Sequence, residues 1–259
     1  SSESADWVPS LAQFVAAILD SHGASGFDGW SSSELKALGR FVPSLLEELY
    51  DLWVETTRAD DVSQELCDHL WSWRVAGLPK KSEEVSRPIS VGGIATRAWH
   101  AAMSKCFPEP HESQWCCRKR TSVVHATSHW LAEPGTAGAE LDLTKAYDLL
   151  DHDLVGEALL KQSISKYVVR TLHRAWKGPR ICHVHGDLAA LIRPRRGIPQ
   201  GCSCAPASMI ATLVPWDPGC KRWAYMDDRS LAADGNDSVA RIDEALLAST
   251  AFDSAVGNE

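Results

Sequence analysis

The 259-residue chain has no window approaching about 18 uninterrupted apolar residues, and its N-terminus lacks both the basic segment and the apolar core of a signal peptide. A membrane span or secretion is therefore not expected. Paired C-x-x-C spacing is missing too. The eight cysteines stand at 67, 106, 116, 117, 182, 202, 204 and 220, and without a secretory signal they predict reduced thiols in an intracellular protein. Cys182, His183 and His185 come close to a zinc motif but have no second ligand pair. An excess of positive charge is also absent. The formal charge of -8 argues at first against a nucleic-acid partner, because phosphate binding rests on clustered Lys and Arg.

The charge is unevenly spread. Residues 1–60 carry 3 basic and 10 acidic side chains and residues 229–259 carry 2 and 6, whereas 61–228 carry 21 and 18. Within that middle stretch the cations cluster as Lys80-Lys81, Arg118-Lys119-Arg120 and Arg193, Arg195, Arg196. A positively lined groove inside an acidic shell is compatible with this pattern. A hydrophobic content of 44% suffices for one large domain or two interleaved subdomains.

Helical periodicity opens the chain. Leu11, Phe14, Val15, Ile18 and Leu19 recur at helical spacing, Ser31 with Glu34 forms a capping box, and Pro43 starts a helix with Leu45, Leu46, Leu49 and Trp53 on one face. A further helix is predicted to carry Leu66, Leu70 and Trp73, followed by a charged turn through Val75–Lys81. Residues 92–107 read as a helix, as do 123–131, 154–160, 167–176, 207–215 and 239–252, while Arg180–Gly186 alternates toward a hairpin. The chain starts at Ser1 rather than Met and stops just after a helical pattern, which reads as part of a longer protein.

Three segments stand out. Ala139–Asp148 is an apolar strand that ends in Asp142, with Tyr147 five residues on; Arg196–Pro206 contains Pro199-Gln200-Gly201; Trp223–Asp228 runs apolar residues into two adjacent carboxylates. An isolated Asp-Asp is ordinarily a solvated turn. In this order, however, the three resemble motifs A, B and C of the reverse transcriptases, closest to those of non-LTR retrotransposons and group II intron-like elements. Leu78-Pro79-Lys80 and Arg87-Pro88-Ile89 resemble that family's fingers hairpin, and Gln114–Ser122 its Gln-containing basic turn, with Cys116-Cys117 where Gly-Phe is usual. Ala205, where Ser usually precedes Pro206, and Arg229, where an apolar residue is commoner after the acids, are further departures.

The resemblance implies an α+β right-hand polymerase fold: a palm built as a ferredoxin-like antiparallel sheet with helices, plus helical fingers, with the thumb absent. Residues 1–60 would form an N-terminal helical extension, 61–138 and 155–199 the fingers, and 139–154 with 200–259 the palm. It further implies an RNA-directed DNA polymerase taking an RNA template, a DNA primer and deoxynucleotides, with no membrane partner. Asp142, Asp227 and Asp228 would be catalytic and, with the Leu143 carbonyl, would hold two Mg²⁺ ions, Mn²⁺ being a substitute. Lys80, Arg87, Lys145, Ala146, Tyr147, Gln200 and Gly201 would bind the nucleotide, Tyr147 excluding a 2′-hydroxyl. Arg118, Lys119, Arg120, Arg195 and Arg196 would bind nucleic acid. Two alternatives stand beside this: a retroelement-derived remnant that folds and binds RNA without polymerising, and an RNA-dependent RNA polymerase, which Tyr147 disfavours.

Overall fold

The computed structural model describes residues 7–78, 87–117, 122–132, 135–143, 145–184 and 187–257, without the side chains of Arg87, His129, His183, Val184, Asp187, Leu188 and Ala189. In chain order, helices α1 (Leu11–Asp20), α2 (Ser32–Phe41), α3 (Pro43–Arg58) and α4 (Gln64–Leu70) precede strands β1 (Trp73–Leu78) and β2 (Arg87–Gly92). Helix α5 (Ile94–Met103), a 3-10 turn at Ser104–Cys106, α6 (Val123–Ala132), β3 (Ala137–Leu141), the short α7 (Ala146–Leu149), α8 (His152–Lys161) and α9 (Lys166–Lys177) follow. The chain continues through β4 (Arg180–Val184), β5 (Asp187–Ile192), α10 (Ala205–Leu213), β6 (Lys221–Tyr225), β7 (Asp228–Ala233) and α11 (Ser238–Ala255). Helices and two sheets together make the chain α+β. It divides into two compact units, residues 1–107 with 163–205 and residues 108–162 with 206–259.

In the first unit, local signals open the helices. Ser31 and Glu34 form the expected capping box at α2, and Ser10 with Gln13 forms a second at α1. Pro43 occupies the first turn of α3, where its missing N–H costs nothing. The C-terminal carbonyls of α3 find donors on α9. Arg174 reaches the Thr56 and Ala59 oxygens at 3.1 and 2.7 Å, and Arg170 those of Thr57 and Arg58 at 3.1 and 3.0 Å, placing cations at the negative end of the helix.

The core of this unit is aromatic. Trp53, Trp71, Trp73 and Trp99 are fully buried; Trp53 stacks on Trp99 at 5.9 Å, and Trp71 and Phe14 meet this pair edge-on at 6.0 and 5.5 Å. Of the predicted α3 stripe, Leu46 and Trp53 are buried while Leu45 is exposed.

Trp73 does not continue α4. It opens β1, and its indole N–H donates to the Ala175 carbonyl at 2.7 Å. The stretch through Leu78, predicted to be a turn, is the rest of that strand. β1 pairs antiparallel with β2 from Trp73↔Gly92 to Leu78↔Arg87, and parallel with β4, giving a four-stranded sheet in the order β2-β1-β4-β5. Gly92 therefore ends a strand rather than starting a helix.

Where the resemblance implies a ferredoxin-like antiparallel sheet for the palm, the second unit has, among the described residues, three antiparallel strands in the order β3-β7-β6. Ala224, Leu231 and Ala233 of that sheet bury themselves against Trp216 and against Ile242 and Ala245 of α11. Arg229, an exception to the apolar pattern, is 1% exposed. Its guanidinium donates to Asp253 of α11 at 2.6 Å and lies 4.9 Å over the Trp216 ring. The Trp216 N–H in turn donates to Ser249 at 3.0 Å.

Candidate active site

Strands β6 and β7 pair from Lys221↔Ala232 to Tyr225↔Asp228, leaving Met226 and Asp227 as a two-residue hairpin turn. Met226 has φ 62°, a left-handed backbone at the first turn position, where a type II′ hairpin normally requires glycine. Gln114 holds that conformation. Its Oε1 accepts the Met226 N–H at 3.0 Å, its Nε2 donates to the Met226 carbonyl at 3.2 Å, and the side chain is 4% exposed. The segment carrying Gln114 is itself fixed to β6, since the Trp115 N–H donates to the Ala224 carbonyl and the Ala224 N–H to the Ser113 carbonyl, both at 2.8 Å.

The third acid arrives from β3. This strand pairs with β7 from Ala137↔Ala233 to Leu141↔Arg229, so Asp142 follows the last paired position and the register runs on toward Asp228. Glu140 lies two residues before Asp142 and so on the same side of the strand. Partial burial, then the negative charges of Asp142 and Glu140, raise the Asp228 carboxyl above its ordinary range. Glu140 was not among the residues singled out from the sequence, although the two-residue period of a strand was enough to find it.

Beyond Asp142, Leu143 and Ala146 are buried and Lys145 is exposed with φ 51°. That left-handed residue starts α7 and turns Tyr147 inward, its hydroxyl donating to the Met226 sulfur at 3.5 Å. Burial, then the charge of Asp227, pushes the phenol up. Asp142, Asp227, Asp228, Leu143, Lys145, Ala146 and Tyr147 thus all belong to the second unit, around one turn and one strand end.

The remaining predicted contacts divide differently. Gln200, Gly201, Arg195 and Arg196 belong to the first unit, where the two arginines are exposed. The Gln200 carbonyl accepts the Ser90 N–H of β2 at 2.7 Å. At Gly201, with φ 126°, an added Cβ would stand 2.2 Å from the Ser90 carbonyl oxygen, so the packing of this loop on β2 already demands glycine. Arg87 opens β2, and its side chain lies outside the described residues, as do Lys80, Arg118, Lys119 and Arg120.

A family model for reverse transcriptase (RNA-dependent DNA polymerase) matches residues 78–252, about two thirds of the chain. The chain belongs to this family. No curated protein matches it. Membership in the reverse transcriptases carries polymerase activity of that general type, with a nucleic-acid template and primer and deoxynucleotides as substrates, and the matched span takes in the hairpin, β3 and the Gln200 loop. No helix among the described residues is long and apolar enough to cross a membrane.

Reverse transcriptases generally use divalent metal ions. Among the described residues, no group of three or more His, Cys, Asp or Glu side chains forms a set that could hold an ion as the side chains stand. The donor chemistry nevertheless fits. Asp142 and Asp228 come from two neighbouring strands and repel each other, and a hard cation that prefers oxygen ligands relieves such repulsion.

Proposed function

We propose that the chain is the catalytic core of an RNA-directed DNA polymerase of the non-LTR retroelement or group II intron-like type, acting inside the cell. Strands β3, β6 and β7 with α11 serve as palm, and the β1–β2 hairpin with its helices as fingers. The activity is transfer of a deoxynucleotide to a primer 3′-hydroxyl on an RNA or DNA template. The observation that carries this reading is the register of β3 and β6 on β7, which brings Asp142 toward Asp228 beside a turn occupied by Asp227.

In this reading Asp142, Asp227, Asp228 and the Leu143 carbonyl hold two Mg²⁺ ions, replaceable by Mn²⁺, whose charge when bound stabilises the attacking and departing oxygens. The protein's own task is placement. Gln114 keeps the Met226–Asp227 turn in one conformation before substrate arrives, so the carboxylate need not be ordered during the reaction. Tyr147, fixed against Met226, lies under the sugar and leaves no room for a 2′-hydroxyl. Lys80 and Arg87 grip the triphosphate, Gln200 and Gly201 border the base and sugar, and Arg118, Lys119, Arg120, Arg195 and Arg196 follow the phosphate backbone.

Primer extension on an RNA template, with deoxynucleotides in one arm and ribonucleotides in the other, tests the reading for this chain and for any longer form that contains it. Extension confined to deoxynucleotides is expected. Tyr147→Ala should admit ribonucleotides, and unchanged discrimination by that variant would remove the gate. Folded protein that extends no primer in either form would refute the polymerase assignment.

A further inference from the structure

Cys116 and Cys117 are neighbours in sequence and their sulfurs lie 3.6 Å apart. Cys116 is 8% exposed, while Cys117 is open to solvent. The pair lies within the same fixed segment as Gln114, whose Oε1 accepts the Cys116 N–H at 3.2 Å as well as the Met226 N–H at 3.0 Å. Cys117 has φ 60°, a backbone that an L side chain seldom adopts, so the two thiols are held on the same side by a bend already present. We propose that Cys116 and Cys117 form a vicinal dithiol that hydroperoxides oxidise reversibly to a disulfide, and that its closure loosens the turn carrying Asp227. The consequence for catalysis rests on the polymerase reading; the modification site does not.

With the Cys117 thiol turned to donate toward the Cys116 sulfur, that contact and a second hydrogen bond from Tyr225 hold the Cys116 thiol below its ordinary range against the opposing effects of burial and of the Asp227 charge. A thiolate attacks the terminal oxygen of the hydroperoxide, the O–O bond breaks and an alcohol departs, or water when the reagent is hydrogen peroxide. The resulting sulfenic acid is attacked by the neighbouring sulfur, its S–O bond breaks and water leaves. The two sulfurs together give up two electrons and the peroxide takes them.

The S–S bond, at about 2 Å, is far shorter than the present separation, and successive Cα atoms about 3.8 Å apart fall below the usual span of a disulfide. Closing the ring therefore pulls on the backbone at 116–117 and, through the Cys116 N–H, on the Gln114 side chain. The same strain makes the bond easy to reduce.

The test is peroxide treatment followed by alkylation and peptide mass analysis, with primer extension run in parallel. The Cys116–Cys117 peptide should lose two hydrogens and resist alkylation, and a thiol reductant should restore both hydrogens. Extension should fall at least several-fold after oxidation and recover with reductant, while Cys117→Ser, active beforehand, should stay unaffected by the same dose. Full alkylation of both cysteines after peroxide would overturn the dithiol site. Undiminished extension by fully oxidised protein would overturn its effect on the turn. If the reduced protein extends no primer, the polymerase reading fails while the peptide mass still decides the site.

Discussion

A methionine with left-handed backbone at the tip of a hairpin is costly to hold, and here the cost is met by the Gln114 side chain through two hydrogen bonds to Met226. Replacing Gln114 by Ala leaves both Met226 groups to find other partners, at about 1–3 kcal/mol. Extension should slow roughly ten- to a hundredfold with the circular dichroism spectrum preserved, whereas an unchanged rate would show that the turn holds itself. Arg229 depends in the same way on Asp253. Asp253→Ala strands a buried guanidinium and should destabilise by about 3–5 kcal/mol in denaturant titration, with the Arg229→Leu, Asp253→Leu double variant recovering most of the loss.

Asp68 supplies the pH test. Hydrogen bonds from Arg193 at 2.7 and 2.5 Å depress its carboxyl below the ordinary 3.8. The stabilisation is therefore complete above that value and lost as pH falls through the depressed pKa. Melting temperatures of wild type and Asp68→Asn should differ slightly at neutral pH and converge in acid; a gap that widens in acid would contradict the assignment. At this scale Asp227 and Asp228 stood out as candidates only through the order of the three segments, since an adjacent Asp pair by itself reads as a solvated turn. Gln114 was visible as a residue but not as a clamp, because its partner is 112 positions away. Arg229 read as a departure from pattern because nothing local announces that a carboxylate one helix later will bury it.

Elements announced by local chemistry were readable: the Ser31–Glu34 box, the proline at the start of α3, and the β4 alternation all give the structure found. What failed was the boundary at Trp73. A tryptophan at helical spacing after Leu66 and Leu70 fits a helix, and the strand that it opens is decided by pairing with β2 and β4, which no window of sequence contains. The parallel β1–β4 contact, between segments more than 100 residues apart, was hidden for the same reason. Packing at this level predicts that Trp99→Ala, which empties the centre of the aromatic cluster, destabilises by about 3–5 kcal/mol. Denaturant titration that shows less than about 1 kcal/mol of loss would place the centre of that core elsewhere.

Across the whole molecule, the net charge of -8 points away from nucleic acid, and the family match over residues 78–252 points toward it. The conflict resolves in the distribution, because the excess of acid lies in residues 1–60 and 229–259. Three carboxylates in the second unit carry the functional claim, and Asp142 and Asp227 are the two whose removal should matter most. The most direct measurement is the rate of primer extension on an RNA template in Mg²⁺ by Asp142→Asn and Asp227→Asn, each checked for a wild-type melting curve. A fall of at least ~10³-fold, about 4 kcal/mol of barrier, is predicted for both. Near-normal extension by either folded variant would contradict the account.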